Sequence, residues 1–146
     1  MNGGGTGSGK QSEVGSNFAF LRIDWPGLFG DARRAEHLTL LDPRTSCFYS
    51  RRTLENLVTW LFDADRTLRR PYKNELSALL HEPTFKDLVG PALLAKANII
   101  RKHGNNAVHG SAPVSKRDSL VVLREPATCI PMCGPRWGRC ANRDYG

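Results

Sequence analysis

The chain has 146 residues, 40% of them hydrophobic and 24% charged, the balance of one globular domain with a single core. No apolar run approaches the ~20 residues a membrane-spanning helix needs, and the N-terminus lacks the apolar segment of a secretory signal, so the expected compartment is the cytoplasm. A net charge of +7, with 15 arginines against 6 lysines, favours polyanionic partners, for which guanidinium is the better bidentate ligand.

Residues 1–16 are rich in Gly and Ser and nearly free of apolar side chains, and are expected to be disordered. They hold Gly4, Gly9 and Lys10 at the spacing of a phosphate-binding loop. That loop also needs a preceding strand and a Ser or Thr after the Lys; no strand pattern precedes it and Gln11 stands there, so composition explains the match.

From Asn17 onward the periodicity is helical. Trp25-Pro26 marks a helix entry, with Pro in the first turn, and the helix is expected to run to about Leu41 with Leu28, Ala35 and Leu38 inward. Asp42-Pro43 supplies an N-cap and a first-turn Pro for a second helix reaching roughly Phe62. Its apolar stripe holds Cys47, Leu54, Leu57, Val58 and Leu61. Residues 69–72 form a connection, since the residue before Pro71 resists helical geometry. Residues 74–81 make a third helix with Leu76, Leu79 and Leu80 inward, followed by a short helical piece over 83–89. Gly90-Pro91 breaks the chain and opens a further helix. Ser115 starts one more, with Leu120, Val121 and Leu123 apolar. No strand alternation and no internal repeat is present, so the expected fold is all-α, a compact antiparallel helical bundle over residues 17–125.

At Pro126 the pattern changes. Three prolines between 126 and 135 preclude an amphipathic helix, and residues 126–146 read as an irregular Cys/Pro/Arg-rich tail. Cys129, Cys133 and Cys140 lack the fourth ligand and second pair of a structural zinc site, so neither metal nor cofactor is expected. Four cysteines in a leaderless chain read as free thiols.

The helix after Pro91 carries the most informative residues. Leu93, Ala97, Ile100, Gly104 and Ala107/Val108 fall on one apolar stripe, with Asn98, Lys102, Asn105 and His109 as a polar stripe beside it. Gly on a buried stripe costs about 1 kcal/mol of helix propensity relative to Ala, which implies a close backbone approach or a helix break there. On the second helix, Arg51 and Glu55 form an i,i+4 pair that would face the Asn105/His109 stripe if it were partly buried. The candidate contact residues for a nucleic-acid backbone or a partner are therefore Arg51, Arg52, Arg101, Lys102, Asn105 and His109, of which Asn105 and His109 are expected to hydrogen-bond within the bundle and fix helix ends. No catalytic residue is assigned: there is no paired-carboxylate site, no supported nucleophile and no base-reading motif. His37, His81 and His103 are isolated, and Trp25, Trp60, Tyr72 and Phe85 are read as core or bundle-edge residues.

Several strings, in order, resemble the helical N-terminal domain of type I restriction endonuclease R subunits. They are Ser16 to Leu21, Phe48 to Glu55, Leu76 to Leu94 with His81-Glu82-Pro83-Thr84-Phe85, and Gly104 to His109. That domain is distantly similar to HEPN domains, a group that includes ribonucleases with an Arg, a polar residue and then a His four to six residues after the Arg. Asn105 and His109 fit the polar and His positions, but Gly104 stands at the Arg position and Arg101 lies one turn too early. The resemblance therefore implies an accessory, non-catalytic domain in a DNA restriction-modification system, with other subunits of that system as partners; a free-standing HEPN-like ribonuclease or toxin-related protein is the alternative. The resembled domain continues its last helix where this chain has Pro126, so a truncated or frameshifted chain is expected, exposing apolar faces that favour self-association.

Overall fold

A computed structural model of the chain describes residues 15–19 and 21–125. The Gly/Ser-rich start, with its phosphate-loop look-alike, and the tail with Cys129, Cys133 and Cys140 lie outside the described residues. Within them the fold is all-α: α1 (Leu21–Asp24), α2 (Pro26–Leu38), α3 (Pro43–Ala64), α4 (Leu76–His81), α5 (Pro83–His109) and α6 (116–125), with no strand. No helix is long and apolar enough to cross a membrane among the described residues.

The longest helices start where the sequence places caps. Asp42 receives the Thr45 N–H (3.1 Å) and the Thr45 hydroxyl (2.5 Å), satisfying one orphan donor of the first turn of α3. Those bonds from Thr45, with Arg44 beside it, hold the Asp42 carboxyl below its ordinary value of 3.8. A carboxyl depressed in the folded state stabilises the fold above the unfolded pKa and loses that contribution as pH falls through the folded one. The stability gap between wild type and Asp42→Ala should thus be constant near neutrality and should close as the pH is lowered below about 4, as measured by urea unfolding across pH. A gap independent of pH would show that the carboxylate charge does not contribute. At α5 the cap is Glu82, whose side chain accepts the Phe85 N–H at 3.1 Å; at α6 it is Ser115, whose hydroxyl oxygen accepts the Asp118 N–H (3.0 Å) while its O–H donates to the Asp118 carboxylate (2.7 Å).

The core is one cluster filled by the stripes read from the sequence: Leu28 of α2, Cys47, Leu54, Leu57, Val58 and Leu61 of α3, Leu76, Leu79 and Leu80 of α4, and Ala97 and Ile100 of α5; Ala35 of α2 is buried as well. Helices α3 and α5 are antiparallel. Phe62 near the end of α3 stacks on Phe85 at the start of α5 (5.6 Å, 18°), and Arg44 at the start of α3 reaches the end of α5. Its guanidinium donates to the carbonyls of Ala107 (2.7 Å), Gly110 (3.0 Å) and Ala112 (2.6 Å).

Two expectations are corrected, the end of α2 and the place of Tyr72. Helix α2 stops at Leu38, where Thr39 turns its hydroxyl onto the Ala35 carbonyl (2.8 Å) in competition with the helix ladder. As the sequence reads, the piece over 83–89 and the helix after Pro91 are separated by a break at Gly90 inside α5. Gly90 takes φ +78°, ψ 169°, a region essentially reserved for glycine, which lets Pro91 follow without a clash. In α6, where the sequence named apolar residues but no face, Ser119 and Val122 point inward at 0% exposure, while Leu120 and Val121 are 50% and 43% exposed. Tyr72 is fully exposed in the α3–α4 connection rather than at the bundle edge.

Candidate functional site

The two longest helices come into close contact where Arg51 crosses Gly104. A Cβ at position 104 would lie within 2.9 Å of three carbons of the Arg51 side chain, its Cβ among them. The glycine of the buried stripe is thus the close-approach kind: it admits the stem of an arginine from α3. That stem carries the Arg51 guanidinium out beside Glu55, with Nη1 3.1 Å from Oε2, while Nε is buried without a hydrogen-bond partner.

Around this crossing the candidate residues separate. Asn105 is half-buried next to Gly104, and Arg101 is half-buried with Nε donating to Asn98 Oδ1 (3.3 Å). Lys102 and His109 lie farther out and are exposed. Arg52 faces the other way, its Nε 3.1 Å from Asp31 on α2. The expectation that His109 holds a buried hydrogen bond is overturned. It is the last residue of α5 and exposed, and it makes no hydrogen bond among the described residues. Among them, too, no group of His, Cys, Asp and Glu is placed to hold a metal ion. Cys47 is buried, and burial pushes its thiol up to about 11, which keeps it protonated near neutrality.

A second region, on the outer face of the α2–α3 hairpin, was missed by sequence reading. Asp31 is buried and takes Arg52 together with the Asn56 amide (3.3 Å). One turn before Arg52, Tyr49 lies under the Arg34 guanidinium (5.6 Å) and meets Phe48 edge-on (5.3 Å, 73°). In the other direction a cleft of about 310 Å³ opens between the ends of α2 and α3, where Trp25 and Trp60 meet edge to face (5.7 Å, 82°). Asn56, Thr59 and Asp63 supply its polar wall, and Arg70 clamps Asp63 and reaches the Thr59 carbonyl. The signal that was available is the spacing Tyr49, Arg52, Asn56, Trp60, Asp63, which puts all five on one helical stripe.

These features define a small all-helical bundle with polar and aromatic faces and no assembled catalytic centre among the described residues. Residues 33–126 match the family described as Domain of unknown function (DUF4145), and the chain belongs to that family. No curated protein and no solved structure matches it.

Proposed function

We propose that the chain is an accessory, non-catalytic domain of the kind that begins type I restriction endonuclease R subunits, acting in the cytoplasm by contacting a nucleic-acid backbone and other restriction-modification subunits. The observation that carries the non-catalytic half is the geometry of α5. A ribonuclease of the HEPN kind needs a cation on the reacting phosphate and a histidine handling protons beside it. Here the cation position is Gly104, filled by an aliphatic stem, and His109 stands exposed without an orienting partner. The basic surface supports the binding half. ATP-driven translocation and DNA cleavage belong to helicase and nuclease domains whose motifs do not occur in this sequence.

One observation favours the second reading, a free-standing HEPN-like ribonuclease: Arg51 arrives at Gly104 from α3 and brings a guanidinium to the neighbourhood that α5 itself leaves without one. Gene neighbourhood separates the two, since helicase motifs in an adjacent reading frame support the restriction reading and their absence supports the alternative.

The binding half is tested by titrating labelled duplex and single-stranded DNA at low and moderate salt. With scattered arginine pairs and no base-reading element, binding should be weak, indifferent to sequence and steeply salt-dependent. Tight binding that survives high salt or selects one sequence contradicts the proposal.

A further inference from the structure

We infer that the outer face of the α2–α3 hairpin is a binding track for a single strand of nucleic acid, with a base held in the Trp25–Trp60 cleft and the phosphates lying along Arg34, Arg52 and Arg70. This deepens the backbone-contact half of the proposed function and rests on it. The stripe from Tyr49 to Asp63 extends for roughly 21 Å at the helical rise of ~1.5 Å per residue, more than one nucleotide. Along it aromatic rings alternate with guanidinium groups, the combination that binds single strands by base stacking and backbone attraction.

Each arginine is placed but not consumed. Arg34 lies over Tyr49, Arg52 spends Nε on Asp31, and Arg70 spends Nη atoms on Asp63, Asn74 and the Thr59 carbonyl. All three are exposed. A guanidinium has five donors, so each retains N–H groups for a phosphate while its carboxylate or ring fixes its position. Asp31 and Asp63 lower the net charge of the track, which limits the attraction to the weak, salt-sensitive kind.

The cleft sets the choice of strand. Its volume suits a small planar body, and its wall is mostly indole and aliphatic carbon, with the Asn56 amide, the Thr59 hydroxyl and the Asp63 carboxylate as hydrogen-bonding groups. Trp25, 7% exposed, keeps its indole N–H buried with no hydrogen-bond partner, so a base in the cleft meets the indole carbons rather than that donor. A base paired inside a duplex cannot enter such a cleft, whereas an unstacked one can.

The experiment measures binding of a fluorescein-labelled 12-nucleotide mixed-sequence strand, with the matching duplex and free AMP and UMP alongside, to wild type, Arg34→Gln/Arg70→Gln and Arg101→Gln/Lys102→Gln. All four positions lie outside the buried core, and circular dichroism checks that the variants are folded. The strand should bind wild type more tightly than the duplex does. Arg34→Gln/Arg70→Gln should lose about tenfold in affinity and roughly 1.4 from the slope of log affinity against log salt, at ~0.7 per phosphate contact; the α5 variant should retain both. Saturating strand should quench tryptophan fluorescence in wild type, and that quenching should fall in Trp60→Phe. Binding that ignores Arg34 and Arg70 but is lost with Arg101 and Lys102 overturns the track and leaves the backbone-contact reading standing. Mononucleotides binding as tightly as the strand, or duplex binding equally well, overturn the single-strand assignment. No binding of any nucleic acid at low salt overturns both.

Discussion

Gly104→Ala is expected to destabilise the protein by about 1–3 kcal/mol, while Gly30→Ala is expected to stabilise it by up to about 1 kcal/mol. Both glycines sit inside α-helices, so helix propensity alone predicts a gain at each. The surroundings decide the sign. A Cβ on Gly30 meets nothing within 4 Å, and the propensity gain stands. A Cβ on Gly104 runs into the Cβ, Cγ and Cδ of Arg51. The first of these is fixed to the α3 backbone, so relief requires the two longest helices of the bundle to separate. Separation opens packing along Leu54, Ala97 and Ile100, whose cost exceeds the propensity term. Chemical unfolding of the two variants beside wild type reads the result. Stabilisation at both positions would mean that α3 and α5 do not cross closely at residue 104.

Arg44→Ala should cost about 2–3 kcal/mol, judged from net values of ~1.5–3 kcal/mol for hydrogen bonds to charged groups and the partial exposure of the set. Taken within its own helix, Arg44 is misplaced: a cation in the first turn of α3 meets the positive end of that helix's dipole. Its role lies elsewhere. It donates to three carbonyls at and beyond the end of α5, where the dipole is negative and the last helical carbonyls have no partner of their own. Alanine leaves the Ala107 and Gly110 carbonyls part-buried and unpaired. Lysine retains the charge but offers one point donor where the guanidinium fork reaches all three oxygens, so Arg44→Lys should recover only part of the loss. Equal stability of wild type and Arg44→Ala in urea would show that water replaces the guanidinium at no cost.

How much was legible in the sequence follows from what each residue depends on. The Asp42 cap and first-turn Pro43 act within one helical turn, and the stripes Leu54-Leu57-Val58-Leu61 and Leu76-Leu79-Leu80 need only the helical period. These were readable. Gly104 was readable as a close approach, because a glycine on a buried stripe demands a reason; that the reason is Arg51 was not, since the two lie 53 positions apart in sequence. The same holds for Arg44 with Ala107, and for Asp31 with Arg52. In α6 the short run Leu120-Val121-Val122-Leu123 has apolar residues all round, so the period cannot choose a face, and packing put Ser119 and Val122 inward. His109 was misjudged because a position on the polar stripe does not say whether the helix end is covered. The Trp25–Trp60 cleft joins residues from two helices, and only its α3 half had a pattern to read.

The non-catalytic assignment is tested most directly by incubating the purified chain, wild type beside His109→Ala, with structured and unstructured RNA and following the products on a denaturing gel. With Gly104 in place of a phosphate-binding side chain and His109 exposed and unpartnered, both proteins should leave the RNA intact. Because His109 makes no buried bond, both should also unfold at the same denaturant concentration. Cleavage by wild type that disappears in His109→Ala would contradict the assignment and make the chain a ribonuclease, with the guanidinium of Arg51, whose stem crosses Gly104, as its phosphate ligand.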